Sequence, residues 1–540
     1  MNSNSGEVDD DLPMRWNGWG DPHRAAPLSR AVRALLPLLL GRLRRPEPAV
    51  DIEDVTLAAS ALTDEDLAAL VGAVGTAGID TTDEGRIRHA RGRSTPDLLR
   101  ARQRAQEAPD AVVHPATHDE VRAVLDVASE RRIAVIPFGG GTSVVGALHP
   151  ERGAHRAVIS LDTRRLSGLL RFDEVAGEAL LGAGTTGPVA ENLLAARGHE
   201  LGHYPQSFRY ATIGGFAAAR SSGQNSAGNG RFDGMVTGIR VATPTGDLDL
   251  GRAPGSAAGP DLARLFLGSE GTLGVITEVR VRTHPVPRGR IFEAWTFPDF
   301  VTGADALRRV AQHGPGPTVI RLSDEAETAV SLAQVGRIGR LLARGAGAVT
   351  VFEGGDAAGR RERTAEILRA AGGQSAGEED AAEWLRGRFD GPYLRDALLD
   401  AGVFCETLET ATTWSNLSAS KKAIETALKT GFEDADARSY VMCHVSHVYP
   451  TGASLYFTVL AGIQGDQLAV WERVKASVND AIVGSGGTIS HHHGVGRDHA
   501  PWLIDEVGDT GLRILRAVKR ELDPRGILNP GALLGHSPEV

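Results

Sequence analysis

The sequence predicts an α+β protein in which two mixed domains stand between helical ends. Three observations predict it. From Ala108 a strand, a helix, a second strand and a glycine run follow in close order. From Val158 to Val281 short β-branched runs alternate with glycine turns, as in LLGAGTTG, TIGGFAAA and GTLGVITEVRVRTHPVP. After Pro287 the segments lengthen into helical stretches (DALRRVAQHG, RTAEILRAAGG) and strand-like ones (VTVFEGG, SLYFTVLAGI). The expected units are a mainly helical segment 1–107, a nucleotide-binding type of domain 108–288, a cap domain 289–465 and a helical closing segment 466–540 that completes the site.

The first unit opens with an acidic start (Glu7, Asp9 to Asp11) and a compact WNGWG turn, Trp16 to Gly20. Ser29 to Arg45 is a leucine block broken by Pro37 and flanked by Arg30, Arg33, Arg42, Arg44 and Arg45. It is too short to cross a bilayer and too far in, behind acidic residues, for a typical signal peptide. It reads as a helix packed on the body of the protein, or as an amphipathic element on a membrane surface. TDEDLAALVGAVG, Thr63 to Gly75, has helical spacing.

Composition narrows the function classes. A chain of 540 residues exceeds one hydrophobic core. A net charge of −10 argues against a nucleic-acid partner. Two isolated cysteines, Cys405 and Cys443, fit a reducing cytoplasm, with peripheral contact at the inner face of the membrane the alternative placement.

The second unit carries the first chemistry. A strand around Val112 precedes a T-x-x-E capping box, Thr117 and Glu120, and Val121, Val124, Leu125 and Ala128 continue at helical spacing. Ile133 to Ile136 is a buried strand leading into PFGGGTS, Pro137 to Ser143. Three glycines let backbone N–H groups approach a phosphate with no Cβ in the way. The run is neither a P-loop nor a G-x-G-x-x-G fingerprint, and alone such a run is more often only a turn.

Two further blocks follow, PQSFRYATIGGFAAARSSGQNSAGNGRFDGMVTGIRVATPTGD (Pro205 to Asp247) and LFLGSEGTLGVITEVRVRTHPVP (Leu265 to Pro287). With PFGGGTS they resemble the PCMH-type FAD-binding domain of the vanillyl-alcohol oxidase family, the FAD-linked oxidases. The resemblance implies that FAD lies along Pro137, Phe138, Gly139, Gly140, Gly141, Thr142 and Ser143, and along Pro205, Gln206, Ser207, Phe208, Arg209, Tyr210 and Ala211. Gly214, Gly215, Ala218, Ala219, Arg220 and Ser221 would join them, with Glu270, Gly271, Thr272, Leu273, Gly274, Val275 and Ile276 at the ADP end. Relatives that hold flavin covalently use a histidine just after the glycine loop. Thr142 stands there, which implies noncovalent FAD. The family's Pro-Asp-Ser beside the flavin reads Pro-Gln-Ser here, at Gln206.

RWNGWG, IRLSD (Ile320 to Asp324), YLRDALL (Tyr393 to Leu399), GASLYF (Gly452 to Phe457) and SHHHGVG (Ser490 to Gly496) narrow the resemblance to the alkyldihydroxyacetonephosphate synthases of ether-lipid synthesis. That family exchanges the acyl chain of acyl-dihydroxyacetone phosphate for a long-chain fatty alcohol, without net redox chemistry. By motif, the resemblance implies catalytic roles for Tyr456, His491, His492, His493 and Arg321. It implies substrate binding by Arg395, a functional tail at Asn529 to Leu533, and a homodimer. The residue types suit the task. Arginine presents a fork of donors to phosphate and carboxylate. Tyrosine and histidine move protons. The plainer readings are an arginine ion pair, a half-buried strand tyrosine and histidines that only pack. Adjacent histidines on a strand point to opposite faces, so no metal is expected. Ordinary imidazoles imply a loss of activity around pH 6–7. The alternative function is an FAD-linked oxidase or dehydrogenase of a hydroxy acid or alcohol.

Overall fold

A computed structural model of the chain describes residues 14–25, 27–47, 49–334 and 345–535. The acidic start lies outside these residues.

The segment 108–143 folds as its pattern predicts. Ala111–Val113 and Ile133–Phe138 both pair in parallel with Ala157–Asp162, and the helix His118–Arg131 crosses between them. Its apolar stripe of Val121, Val124, Leu125 and Ala128 is fully buried under that sheet. Only half of the expected capping box forms. Thr117 Oγ1 accepts the Glu120 N–H, but Glu120 Oε2 accepts from Ala116 instead of Thr117. A five-stranded antiparallel sheet follows, in the order Gly246–Leu250, Val236–Thr243, Val275–Arg282, Glu178–Gly182, Leu169–Asp173.

The cap carries a seven-stranded antiparallel sheet. Its order is Gln374–Gly377, Arg290–Phe297, Ala346–Glu353, Val319–Ser323, Ser439–Val448, Gly452–Ala461, Phe404–Thr413. The helices Phe300–His313, Leu417–Glu433 and Gln467–Gly484 cover it and bury Trp295, Phe404, Phe432, Phe457 and Trp471 in one core.

The two ends tie these sheets together. After the helix Leu503–Leu522 the chain runs back beside Ile133–Phe138, where Val135 donates to Ile527 O and accepts from the Asn529 N–H. The N-terminal segment has the helices Arg30–Leu40, Asp64–Val74, Asp83–Arg88 and Thr95–Arg100, but it also lends the strand Ile79–Asp80 to the parallel sheet. Arg30–Leu40 packs on the body of the protein along one face only. Leu36 and Leu40 pack on Leu398, Cys405, Met442 and Leu460, while Leu35, Leu38 and Leu39 stay 48%, 75% and 47% exposed. Burying a leucine contributes roughly 1.5–3 kcal/mol, so leaving three in water forgoes a sizeable stabilisation.

Candidate active site

The strand Gly452–Ala461 pairs with Phe404–Thr413 on one side and Ser439–Val448 on the other. The register sets Glu409 opposite Tyr456 and Tyr456 opposite His444, so three polar side chains line up across one face. Tyr456 and His444 stack, with ring centroids 4.8 Å apart and planes 21° apart. Burial pushes the Tyr456 hydroxyl up to about 12, which keeps its proton at neutral pH.

Over this row lies the segment Ser490–Gly494. It is a bend and not a strand, so the expected alternation of histidines between faces does not hold. The cause is Glu409. Its buried carboxylate accepts the backbone N–H groups of His491, His492 and His493 at 2.8–3.0 Å and the Ser490 hydroxyl at 3.0 Å. Three successive N–H donors aimed at one anion curl the chain into a nest, which turns the three rings inward together. The facing imidazoles of His492, His493 and His491, and then the His492 N–H donor, hold Glu409 well below the usual carboxylate range despite its burial.

The rings form a contiguous cluster. His491 and His492 meet through their Nδ1 atoms at 2.9 Å, and His493 packs edge-on to His492. His492 and His493 both lie against Tyr456, at 6.1 and 5.6 Å between centroids. His447 packs tilted against His491 and His492, its Nε2 lying 3.2 Å from the Gly223 carbonyl. Tyr449 bonds His491 Nε2, and Arg231 Nη1 donates to the His491 carbonyl at 2.8 Å. The fourth histidine of the motif, His499, is buried and binds the Gly494 carbonyl at 3.0 Å, closing the turn. Burial takes His493 down to about 3 and His499 to about 4, and holds His491 and His447 well below the ordinary imidazole range. The expectation of near-neutral imidazoles is therefore corrected: desolvation disfavours their charged form.

Convergence is corrected too. Ligand atoms of His447, His491 and His492 lie within 4.8 Å of one another, so the donor set is compatible with a transition metal, contrary to the strand argument.

Arg321, on Val319–Ser323, forms an ion pair with Glu327, and its Nη2 lies 2.9 Å from His444 Nδ1. It thus borders the stacked His444–Tyr456 pair. Arg395 lies elsewhere, on the helix Gly391–Asp400. Its Nε and Nη2 both engage Asp396 Oδ1, at 3.2 and 2.9 Å, and its Nη1 donates to the Arg93 carbonyl. The fork expected to grip substrate is closed on the neighbouring residue. Asp396 Oδ2 also accepts the Trp19 N–H, and the Tyr393 hydroxyl accepts the Asp21 N–H, so this helix clasps the WNGWG turn. Trp19 in turn meets Tyr210 edge-on.

The predicted FAD residues form a cradle made largely of backbone. A Cβ on Gly140 would fall 1.9 Å from the Tyr210 carbonyl, so the loops 139–143 and 205–211 touch main chain to main chain. Gly141 has φ +67°, which a side chain rarely adopts. Thr212 caps the helix Ile213–Ala219, which presents Gly214, Gly215, Ala218 and Ala219 beside the cradle. Gln206 Nε2, Ser222 Oγ, Ser269 Oγ and Asn529 Oδ1 are buried without hydrogen-bond partners. Orphaned donors and acceptors around a glycine cradle fit a flavin nucleotide, with its ring heteroatoms and phosphates. Arg220 instead pairs with Asp233, and Ser221 Oγ meets His203. Leu273, Val275 and Ile276 turn their side chains into hydrophobic cores, so they offer a cofactor only backbone. Glu270 is engaged within the chain: its carboxylate accepts the Gly496 N–H at 2.7 Å, and its carbonyl accepts from Asn529 Nδ2. The tail Asn529 to Leu533 thus braces the histidine loop, with the Leu533 N–H donating to the Gly496 carbonyl.

Sequence reasoning missed Glu409, His444, His447, Tyr449 and Arg231. Acidic residues in the alternating run FCETLETATT are the one signal for Glu409.

Comparison with known proteins identifies the two domains. Residues 109–249 match the family described as FAD binding domain, and residues 286–533 match FAD linked oxidases, C-terminal domain. The alkyldihydroxyacetonephosphate synthase of Dictyostelium discoideum is 30% identical over 96% of this chain and 93% of its own length. That of Trypanosoma brucei brucei is 31% identical over 84% of this chain and 78% of its own. A solved alkyldihydroxyacetonephosphate synthase superposes with a TM-score of 0.81 at 28% identity, covering 96% of this chain and 98% of that one.

Proposed function

The chain belongs to the alkyldihydroxyacetonephosphate synthase family of FAD-linked oxidases, and from that premise we propose that it exchanges the acyl chain of acyl-dihydroxyacetone phosphate for a long-chain fatty alcohol. The products are alkyl-dihydroxyacetone phosphate and a fatty acid, with no net redox change. The single observation that carries this reading is the contact of Tyr456 with His492 and His493 on a floor ordered by Glu409.

The cradle of Pro137 to Ser143 and Pro205 to Ala211 would hold FAD noncovalently, and the group when bound would supply a nucleophilic ring nitrogen. The chain's own residues manage the protons. A carboxylate must leave and an alcohol must enter at one carbon, so the proton lost by the alcohol oxygen is passed to the departing carboxylate, which leaves as the fatty acid. Tyr456 rests protonated and serves as donor. His492 rests neutral and serves as acceptor. Arg321 and Glu327 fix His444, which holds the Tyr456 ring by stacking. Burial excludes water that would compete with the alcohol.

No described helix is long and apolar enough to cross a membrane. The exposed leucines of Arg30–Leu40, with Arg30, Arg33 and Arg42 also exposed, support peripheral contact with an anionic lipid surface, where the lipid substrates reside. Association as a homodimer rests on family resemblance.

Purified FAD-loaded protein given acyl-dihydroxyacetone phosphate and labelled hexadecanol tests the reading. Labelled ether lipid should form together with free fatty acid. Consumption of either substrate without ether product would refute it.

A further inference from the structure

Helices Glu379–Gly387 and Gly391–Asp400 of the cap are joined by a short turn that packs on Tyr204 and Phe208. There Phe389 stacks on Phe208, with centroids 5.8 Å apart and planes 16° apart. The neighbouring Arg388 places its guanidinium 4.5 Å from the Tyr204 ring centroid and 4.8 Å from that of Phe389. Among the described residues it makes no ion pair and no side-chain hydrogen bond. This sets it apart from Arg395, Arg321, Arg290, Arg231 and Arg220, whose forks are all closed on carboxylates.

An enclosed guanidinium without an anion is costly, since it has given up water and gained only two ring faces. Burial lowers it to about 10, so it remains charged at neutral pH. Part of the side chain stays accessible, so a ligand can reach it. Of the carboxylates whose charge reaches Arg388, Glu353 is engaged by Arg290 and Asn225 and Glu191 by the N–H groups of Leu201 and Gly202, while Glu200 faces it without forming an ion pair. The position also bears on the chemistry. Gln224 Nε2 donates to the Arg388 carbonyl at 3.2 Å, and the preceding residue, Gly223, offers its carbonyl to His447 of the histidine cluster. Arg388 and the histidines are thus parts of one wall, where cap and flavin loop meet.

We propose that Arg388 anchors an oxyanion of the substrate, either the phosphate or the carboxylate of the departing fatty acid. The identity of the anion rests on the proposed function; the site itself rests on the open fork, its enclosure and its place beside the histidines. A planar fork flanked by aromatic faces accepts such a group through paired, charge-assisted hydrogen bonds.

Calorimetric titration of the FAD-loaded protein with dihydroxyacetone phosphate and, separately, with decanoate tests this. Arg388→Gln should weaken one or both at least about tenfold while the flavin spectrum is unchanged. Loss of the first ligand assigns the phosphate, and loss of the second assigns the carboxylate. Arg388→Lys, which keeps the charge without the fork, should recover only part of the affinity and carries the test if the glutamine variant fails to hold FAD. Wild-type affinity for both ligands in the variants, or no binding of either to the wild type, would overturn the assignment. The readout is binding, so a protein that binds through Arg388 but yields no ether lipid would refute the exchange reaction and leave the subsite standing.

Discussion

The Glu409 carboxylate stands 3.5 Å from Nδ1 of His492 and accepts that residue's backbone N–H at 3.0 Å. One side chain therefore shapes the loop and supplies the negative charge its rings face. Glu409→Gln keeps the shape but turns an amide NH₂ toward a nest of donors. We expect a loss of about 1–3 kcal/mol in stability and at least about tenfold in kcat, with FAD retained. Thermal unfolding and steady-state kinetics check it; wild-type kcat would reduce Glu409 to scaffolding.

Arg395→Lys should fail although charge is kept. Lysine cannot engage Asp396 through two nitrogens while a third holds the Arg93 carbonyl. Asp396 also anchors Trp19, so the WNGWG turn should loosen, with faster proteolysis near residue 20, a higher KM and unchanged flavin content. Proteolysis and KM like those of the wild type would show that the clasp tolerates a point charge.

The buried histidines set an acid limit on stability. Unfolded, their rings protonate near 6.5. Folded, burial holds His491, His493, His447 and His499 below that. The unfolded chain then binds more protons than the folded one, so stability is intact above pH 6.5 and is lost as pH falls, by up to about 1.4 kcal/mol per pH unit for each ring. Activity should hold below the pH 6–7 expected of ordinary imidazoles, because the neutral form persists. Melting and rate profiles from pH 8 to 5 check both; a rate that halves near pH 6.5 would contradict the lowered values.

Cofactor content separates the flavin reading from a metal enzyme. Acid denaturation should release all the yellow colour, since Thr142 stands where a linking histidine would be. Activity should survive strong chelators although His447, His491 and His492 converge. Colour retained in the pellet would mean covalent flavin. One bound ion per chain, with activity lost on chelation and regained on its return, would favour the dehydrogenase alternative.

The glycine cradle and the cap strands were legible because their causes are local. The glycine run gains its meaning from the two blocks that follow it in order, and SLYFTVLAGI is an apolar run of strand-forming residues, as a buried strand requires. The histidine loop was not legible. Three successive histidines suit a strand as well as a bend, and the residue that bends them, Glu409, lies 82 positions before His491. Its place opposite Tyr456 depends on a strand register that no short motif encodes. The engagement of Arg395 was not legible for a nearer reason: its partner, Asp396, is the next residue of the same motif, and sequence alone does not say whether that carboxylate turns toward the guanidinium.

The most direct measurement of the central claim is anaerobic turnover without an electron acceptor, following flavin absorbance, fatty acid and labelled ether together. We predict many turnovers per flavin, one fatty acid released per ether formed, and flavin that is oxidised at start and end. Tyr456→Phe, which keeps the ring and removes the proton, should slow this about 10²–10⁴-fold with FAD still bound. Flavin that bleaches after one turnover, and recovers only when an acceptor is added, would contradict the account.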